Sequence, residues 1–120
     1  MSLVPLEELL AERDELVSSV APLRAKYGPN GTWDALRTIQ LATIAQRIRA
    51  QAVLDGEHMT QAEVKDAAHA DPDYAAAVAT ATDERATWAL LEAQIEGIDF
   101  TVNRGQAIAR FLSAEARLAD

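Results

Sequence analysis

Apolar positions recur along this chain at helical spacing. Leu6, Leu9, Arg13, Leu16, Val20, Leu23 and Tyr27 follow one another at alternating steps of three and four, which places them on one face of an amphipathic helix with an arginine set into its stripe. Pro5 suits a first helical turn, and Glu7 and Glu8 sit where the helix dipole favours negative charge. Pro22 lacks a backbone donor and is expected to kink or split this helix near its end. Tyr27-Gly28-Pro29-Asn30-Gly31 is the clearest break. Thr32 is placed to cap a second helix, expected from about Trp33 to Leu54, with Trp33, Leu41, Ile44 and Ile48 on one face.

Asp55-Gly56-Glu57-His58 should end that helix, and Thr60 with Glu63 reads as a capping box opening a short third one. Asp71-Pro72 is an N-cap followed by proline at the first helical position. No proline follows, so one long helix is predicted to run to about Leu118. Within it Trp88, Leu91, Ile95, Ile98, Val102, Gly105, Ala109, Leu112 and Ala116 alternate strictly at three and four, a coiled-coil-like seam. Phe100, Ile108 and Phe111 lie off this row, so the C-terminal part is apolar on more than one face, and the second face is expected to be a subunit contact. Gly97 and Gly105 each weaken the helix by roughly 1 kcal/mol relative to alanine, a cost that close approach of another helix would explain. The expected fold is all-α: a helical hairpin or bundle with a long, heptad-patterned C-terminal helix, oligomeric. Residues 1–26 would form an acidic amphipathic helix or arm, and 32–120 a helical core and oligomerisation domain built on Trp88, Leu91, Ile95, Ile98, Val102, Ile108, Phe111 and Leu112.

Composition supports thin, closely packed helices. Of 120 residues 25 are alanine, whereas Phe, Trp and Tyr together supply 6. There is no cysteine, which excludes disulfides, a thiol nucleophile and a Cys-ligated zinc. The apolar stretches fall far short of the ~20 residues that span a bilayer, and the N-terminus does not have the pattern of a signal peptide. A cytoplasmic protein with no membrane partner is expected.

The net charge of −8 speaks against nucleic acid until its distribution is considered. Residues 24–54 carry Arg24, Lys26, Arg37, Arg47 and Arg49 against Asp34, a net +4, whereas residues 1–23 sum to −4, 55–103 to −9 and 104–120 to +1. Such segregation can build a local basic surface able to neutralise phosphates. On the helical wheel, however, Arg49 lies roughly 200° from Arg47, so the two do not share one flat face. The alternative reading is that these are solvated arginines that pair with the acidic remainder; Arg13 and Arg37, inside apolar stripes, could instead form buried ion pairs or line an oligomer's inner surface. Glu92, Glu96 and Asp99 share a helix face, but no Glu-x-x-His partner exists for a carboxylate metal site. No phosphate loop, nucleophile elbow or zincin motif occurs. No metal, cofactor or catalytic residue is expected. Trp33, Tyr74 and Trp88 offer either base-stacking surfaces or core packing.

Trp88-Ala89-Leu90-Leu91, then Val102-Asn103-Arg104-Gly105-Gln106-Ala107-Ile108, then Glu115-Ala116 together resemble the UvsY-type recombination mediator proteins of T-even phages. Upstream, Arg47-Ile48-Arg49 before Gly56 is similar to a basic pair in that family, with arginine where the family has lysine. The similarity covers roughly residues 36–118, and the tryptophan falls one residue out of register. The resemblance implies a non-enzymatic, ring-like homo-oligomer that binds single-stranded DNA, destabilises its complex with single-strand-binding protein and loads a RecA-type recombinase. It implies DNA contacts at Arg47 and Arg49. With Arg37, Lys26, Arg24 and Arg104 these make the candidate nucleic-acid residues. Two rival expectations remain: a phage structural or scaffolding coiled-coil protein with no nucleic-acid role, and an acidic helical mimic of DNA that inhibits a DNA-binding enzyme.

Overall fold

A computed structural model describes residues 5–119. Its four helices are α1 (Leu6–Tyr27), α2 (Trp33–Leu54), α3 (Gln61–His69) and α4 (Pro72–Ala119), and no strand occurs among the described residues. The all-α class and the long C-terminal helix are as the spacing predicts. Pro22 does not split α1, which continues through it to Tyr27. Without a backbone donor, Pro22 leaves the Ser18 carbonyl short of its helical bond, and the helix tolerates that single loss.

The breaks follow from local chemistry. After Tyr27 the chain turns tightly: Gly28 N–H donates to the Arg24 carbonyl at 2.8 Å and Gly31 N–H to the Gly28 carbonyl at 2.9 Å. Glycine is required at 31, where a Cβ would collide with the carbonyl of Lys26. Thr32 precedes α2 as expected but makes no side-chain cap bond, since its own backbone is already helical. Gly56, at φ +69°, carries the left-handed turn that ends α2. Thr60 does cap α3. Its hydroxyl accepts the Glu63 N–H at 3.2 Å and donates to the Glu63 carboxylate at 3.1 Å. At the start of α4, Asp71 Oδ1 accepts the Asp73 N–H at 2.9 Å, with Pro72 as the first helical residue.

The chain divides into two compact units. One is Leu23–Ala86, holding the end of α1, all of α2 and α3, and the first turns of α4. Its buried residues are Ile44, Ala52, Val64, Ala68 and Ala81. The other joins the stretch ending at Pro22 to that beginning at Thr87. Here α1 lies antiparallel along α4: Arg13 Nε donates to Asp99 Oδ1 at 2.6 Å, and Leu6 and Leu9 share an apolar cleft with Val102, Gly105 and Ala109. Val20, Ile95 and Ile98 are its buried residues. Arg13 thus keeps its place in the apolar stripe through a half-buried ion pair.

The predicted α4 seam divides along its length. Trp88, Leu91 and Val102 are half-buried and Ile95 and Ile98 are buried, so these five belong to the protomer's own core. Ile108, Phe111 and Leu112 are exposed, as is Phe100. Among the described residues a Cβ at Gly97 or Gly105 would meet nothing within 4 Å, so no close contact inside the protomer requires glycine at either position. None of the described helices is long and apolar enough to cross a membrane.

Candidate nucleic-acid interface

The basic segment that stands out in the sequence is dispersed by the fold. Arg47 projects from α2 onto the start of α4, where one guanidinium nitrogen donates to Asp71 Oδ2 and the other to Asp73 Oδ2 at 3.0 Å. The Asp71 carboxylate therefore works twice. One oxygen caps α4, where the helix dipole favours an anion, and the other holds Arg47. Burial alone would raise the Asp71 carboxyl, but the Asp73 N–H and the Arg47 guanidinium outweigh it and hold the group below its ordinary range. Bonds from both carboxylates raise the Arg47 guanidinium in turn, those from Asp73 most.

Lys26 is likewise engaged. Its ammonium lies 3.2 Å from Glu84 Oε2, and the Tyr27 hydroxyl donates to the same oxygen at 3.0 Å. Those two bonds hold the Glu84 carboxyl below its ordinary range, the one from Tyr27 being the larger cause. The bond to Glu84 raises Lys26, and Tyr27 is raised first by burial and then by its bond to the carboxylate. The ammonium also stands 5.3 Å from the Tyr27 ring and 6.0 Å from that of Trp33, and the two rings lie 5.9 Å apart. Trp33 is therefore a packing residue of this cluster. Arg37 pairs with Asp34 on its own helix at 3.6 Å. Arg24 is exposed and has interactions of its own.

Arg49 is different. Two residues from Arg47, it points to the other side of α2 and lines a groove of about 280 Å³ between α2 and α3. Leu41, Ala45 and Arg49 come from α2 at steps of four, and Gln61, Lys65 and His69 come from α3 at the same steps. No carboxylate lines this groove. Among the described residues neither Arg49 nor Lys65 has an ion-pair partner. The His69 ring is fixed by its Nδ1 bond to the Lys65 carbonyl at 2.8 Å and by edge contact with Tyr74 at 5.5 Å. Two flexible cations and a carboxamide over an apolar floor form a surface suited to a phosphate or another anion.

Lys65 is hidden in the sequence by the acidic stretch 55–103 around it. The usable signal was its phase: steps of four from Gln61 to His69, on the α3 face beside α2. Arg104 is exposed on α4, in the other unit. The acidic row of α4 is put to structural use, with Asp99 holding Arg13 and Glu92 accepting the Trp88 indole N–H at 3.0 Å. Compared with protein-family models, curated proteins and solved structures, the chain matches none.

Proposed function

We propose that the protein is a non-enzymatic, self-associating helical adaptor of the recombination-mediator type. In this reading it binds single-stranded DNA without sequence preference and helps load a RecA-type recombinase onto DNA covered by single-strand-binding protein, in the cytoplasm of a host cell. The observation that carries the reading is the carboxylate-free groove holding Arg49 and Lys65. One protomer offers few phosphate contacts. A ring-like homo-oligomer would repeat them around one strand and raise their joint affinity through effective concentration. Arg47, Arg37 and Lys26 contribute less, because each would have to leave a carboxylate to meet a phosphate.

Fluorescence anisotropy with a labelled oligonucleotide tests this. Binding at ~50 mM salt should fall steeply as salt rises, and Arg49→Ala/Lys65→Ala should lose at least about tenfold in affinity while the protein still assembles. Unchanged affinity in that variant rejects the groove, and no binding at low salt rejects the DNA role. The second reading, a virion or assembly scaffold, is favoured by the exposed Phe100, Ile108, Phe111 and Leu112 on α4 together with the internal neutralisation of Arg47. A salt-insensitive oligomer that ignores DNA would select it.

A further inference from the structure

The outer face of α4 carries a second heptad row. Leu90, Phe100, Phe111 and Leu118 are its large members, exposed by 60%, 67%, 62% and 88%. Ala93, Gly97, Ala107 and Ala114 are its small ones, and Arg104 is its one charge. From Leu90 to Leu118 the steps are strictly three and four. At 100° per residue this row lies roughly 200° round the helix from the Trp88–Val102 seam, which the protomer fills itself. All of it belongs to the unit beginning at Thr87. A helix with two sustained heptad rows has two helical partners to satisfy, and α1 supplies one.

We infer that the second partner is the same face of another copy, laid antiparallel, with residues whose numbers sum to 204 opposite one another. In that register Leu90 meets Ala114 of the second copy, Ala93 meets Phe111, Gly97 meets Ala107 and Phe100 meets Arg104. Each apolar layer but the smallest sets a large side chain against a small one, and the smallest, Gly97 with Ala107, lets the backbones approach. Arg104 is drawn over a ring, where a cation is favourable. The two-fold axis repeats every contact over ~36 Å of helix.

Charge selects the same arrangement. Glu96 and Arg110 each precede a row position by one residue and so flank the row on the same edge; both are exposed, and neither has an ion-pair partner among the described residues. Antiparallel pairing brings Glu96 of each copy within a turn of Arg110 of the other. Parallel pairing would instead put Arg104 beside Arg104 within the seam and Gly97 beside Gly97. Sliding the antiparallel pair one heptad one way sets Phe100 against Phe111; sliding it the other way sets Phe111 against Ala86 but parts Glu96 from Arg110 of the other copy by more than two turns. The pairing rests on the self-association of the proposed function, and it is a closed two-chain contact, so a ring would need a further surface to join such pairs.

The natural chain has no cysteine, which permits a direct test on the full-length protein. Gly97→Cys and Ala107→Cys proteins, carried on tags of different mass, are mixed and oxidised. The mixed disulfide should dominate, with little Gly97→Cys self-cross-linking. Phe111→Asp should convert the assembly to lower-order species in light scattering while circular dichroism keeps its helical signal, because Phe111 is exposed in the protomer. Glu96→Arg should weaken association by about fivefold and Glu96→Arg/Arg110→Glu should restore it. An oligomer that cross-links 97 to 97, or that survives Phe111→Asp, overturns the antiparallel pairing and leaves self-association standing. A wild-type monomer at high micromolar concentration overturns both.

Discussion

In Leu23–Ala86, α2, α3 and the ends of α1 and α4 converge on a core of one isoleucine, one valine and three alanines. In the unit that joins α1 to the later turns of α4, two helices alone bury one valine and two isoleucines. Several elements around small side chains cover one another there, and although Leu36, Ile39, Val53, Leu54 and Val78 stay exposed as single apolar side chains, the surface also holds an arginine clamp at one helix start and a cationic groove between two others. Two helices cannot cover each other. Each buries one stripe, and where α4 carries a second stripe that stripe stays in solvent. The same contrast appears within α2, where Arg47 is consumed by the fold and Arg49, facing a different neighbour, is left to the surface.

The largest test of this comparison is core truncation. Ile95→Ala should cost ~2–5 kcal/mol, because with two helices the gap has few neighbours to close it. Chemical denaturation read against Ile44→Ala in the other unit checks whether the two cores differ in their power to relax. An Ile95→Ala cost below that of Ile44→Ala would contradict the two-helix account.

A smaller effect separates two threonines that look alike in sequence. Thr60→Ala should cost ~1 kcal/mol, since it removes the bond to the Glu63 N–H, whereas Thr32→Ala should be close to neutral. Thermal melts of the pair measure the difference. Equal losses would mean that the Thr60 cap contributes nothing.

The smallest effects are in pH. Asp71 and Glu84 have carboxyls held below their ordinary range, so the stability they add is whole above that range and is lost as pH falls through their lowered values. Lys26 and Tyr27 are raised, so their contribution is whole below the ordinary lysine and tyrosine ranges and is lost as pH rises through their raised values. Glu84→Gln should therefore flatten stability against pH on both limbs, while Asp71→Asn flattens only the acid limb. Denaturant titrations across the pH range would show it, and an unchanged alkaline limb in Glu84→Gln would break the assigned link between Glu84 and Lys26.

Local chemistry made the elements legible. The Gly-Pro-Asn-Gly break after Tyr27, the Thr60 box, Asp71-Pro72 and the three-four spacing of Leu6–Tyr27 and Trp88–Val102 each act within a few residues, so a linear reading finds them. The place of Thr32 at a helix start is legible in the same way, but not its missing cap bond, which turns on a backbone angle. The basic stretch 24–54 is legible too, but not the fate of its members. Arg47 meets carboxylates 24 and 26 residues away, Lys26 meets one 58 residues away, and Arg49 shares a groove with Lys65. These outcomes depend on which faces of α2, α3 and α4 are brought together.

By itself, then, the sequence determined the helices, their ends and the stripes they present, because backbone hydrogen bonding and side-chain periodicity are short-range. Only the tertiary structure decided which charges were neutralised inside the protomer and which stayed available, and which of the two stripes on α4 the protomer filled. An ion pair, a groove or an uncovered stripe is a property of two surfaces in contact, and the second surface comes from a distant part of the chain.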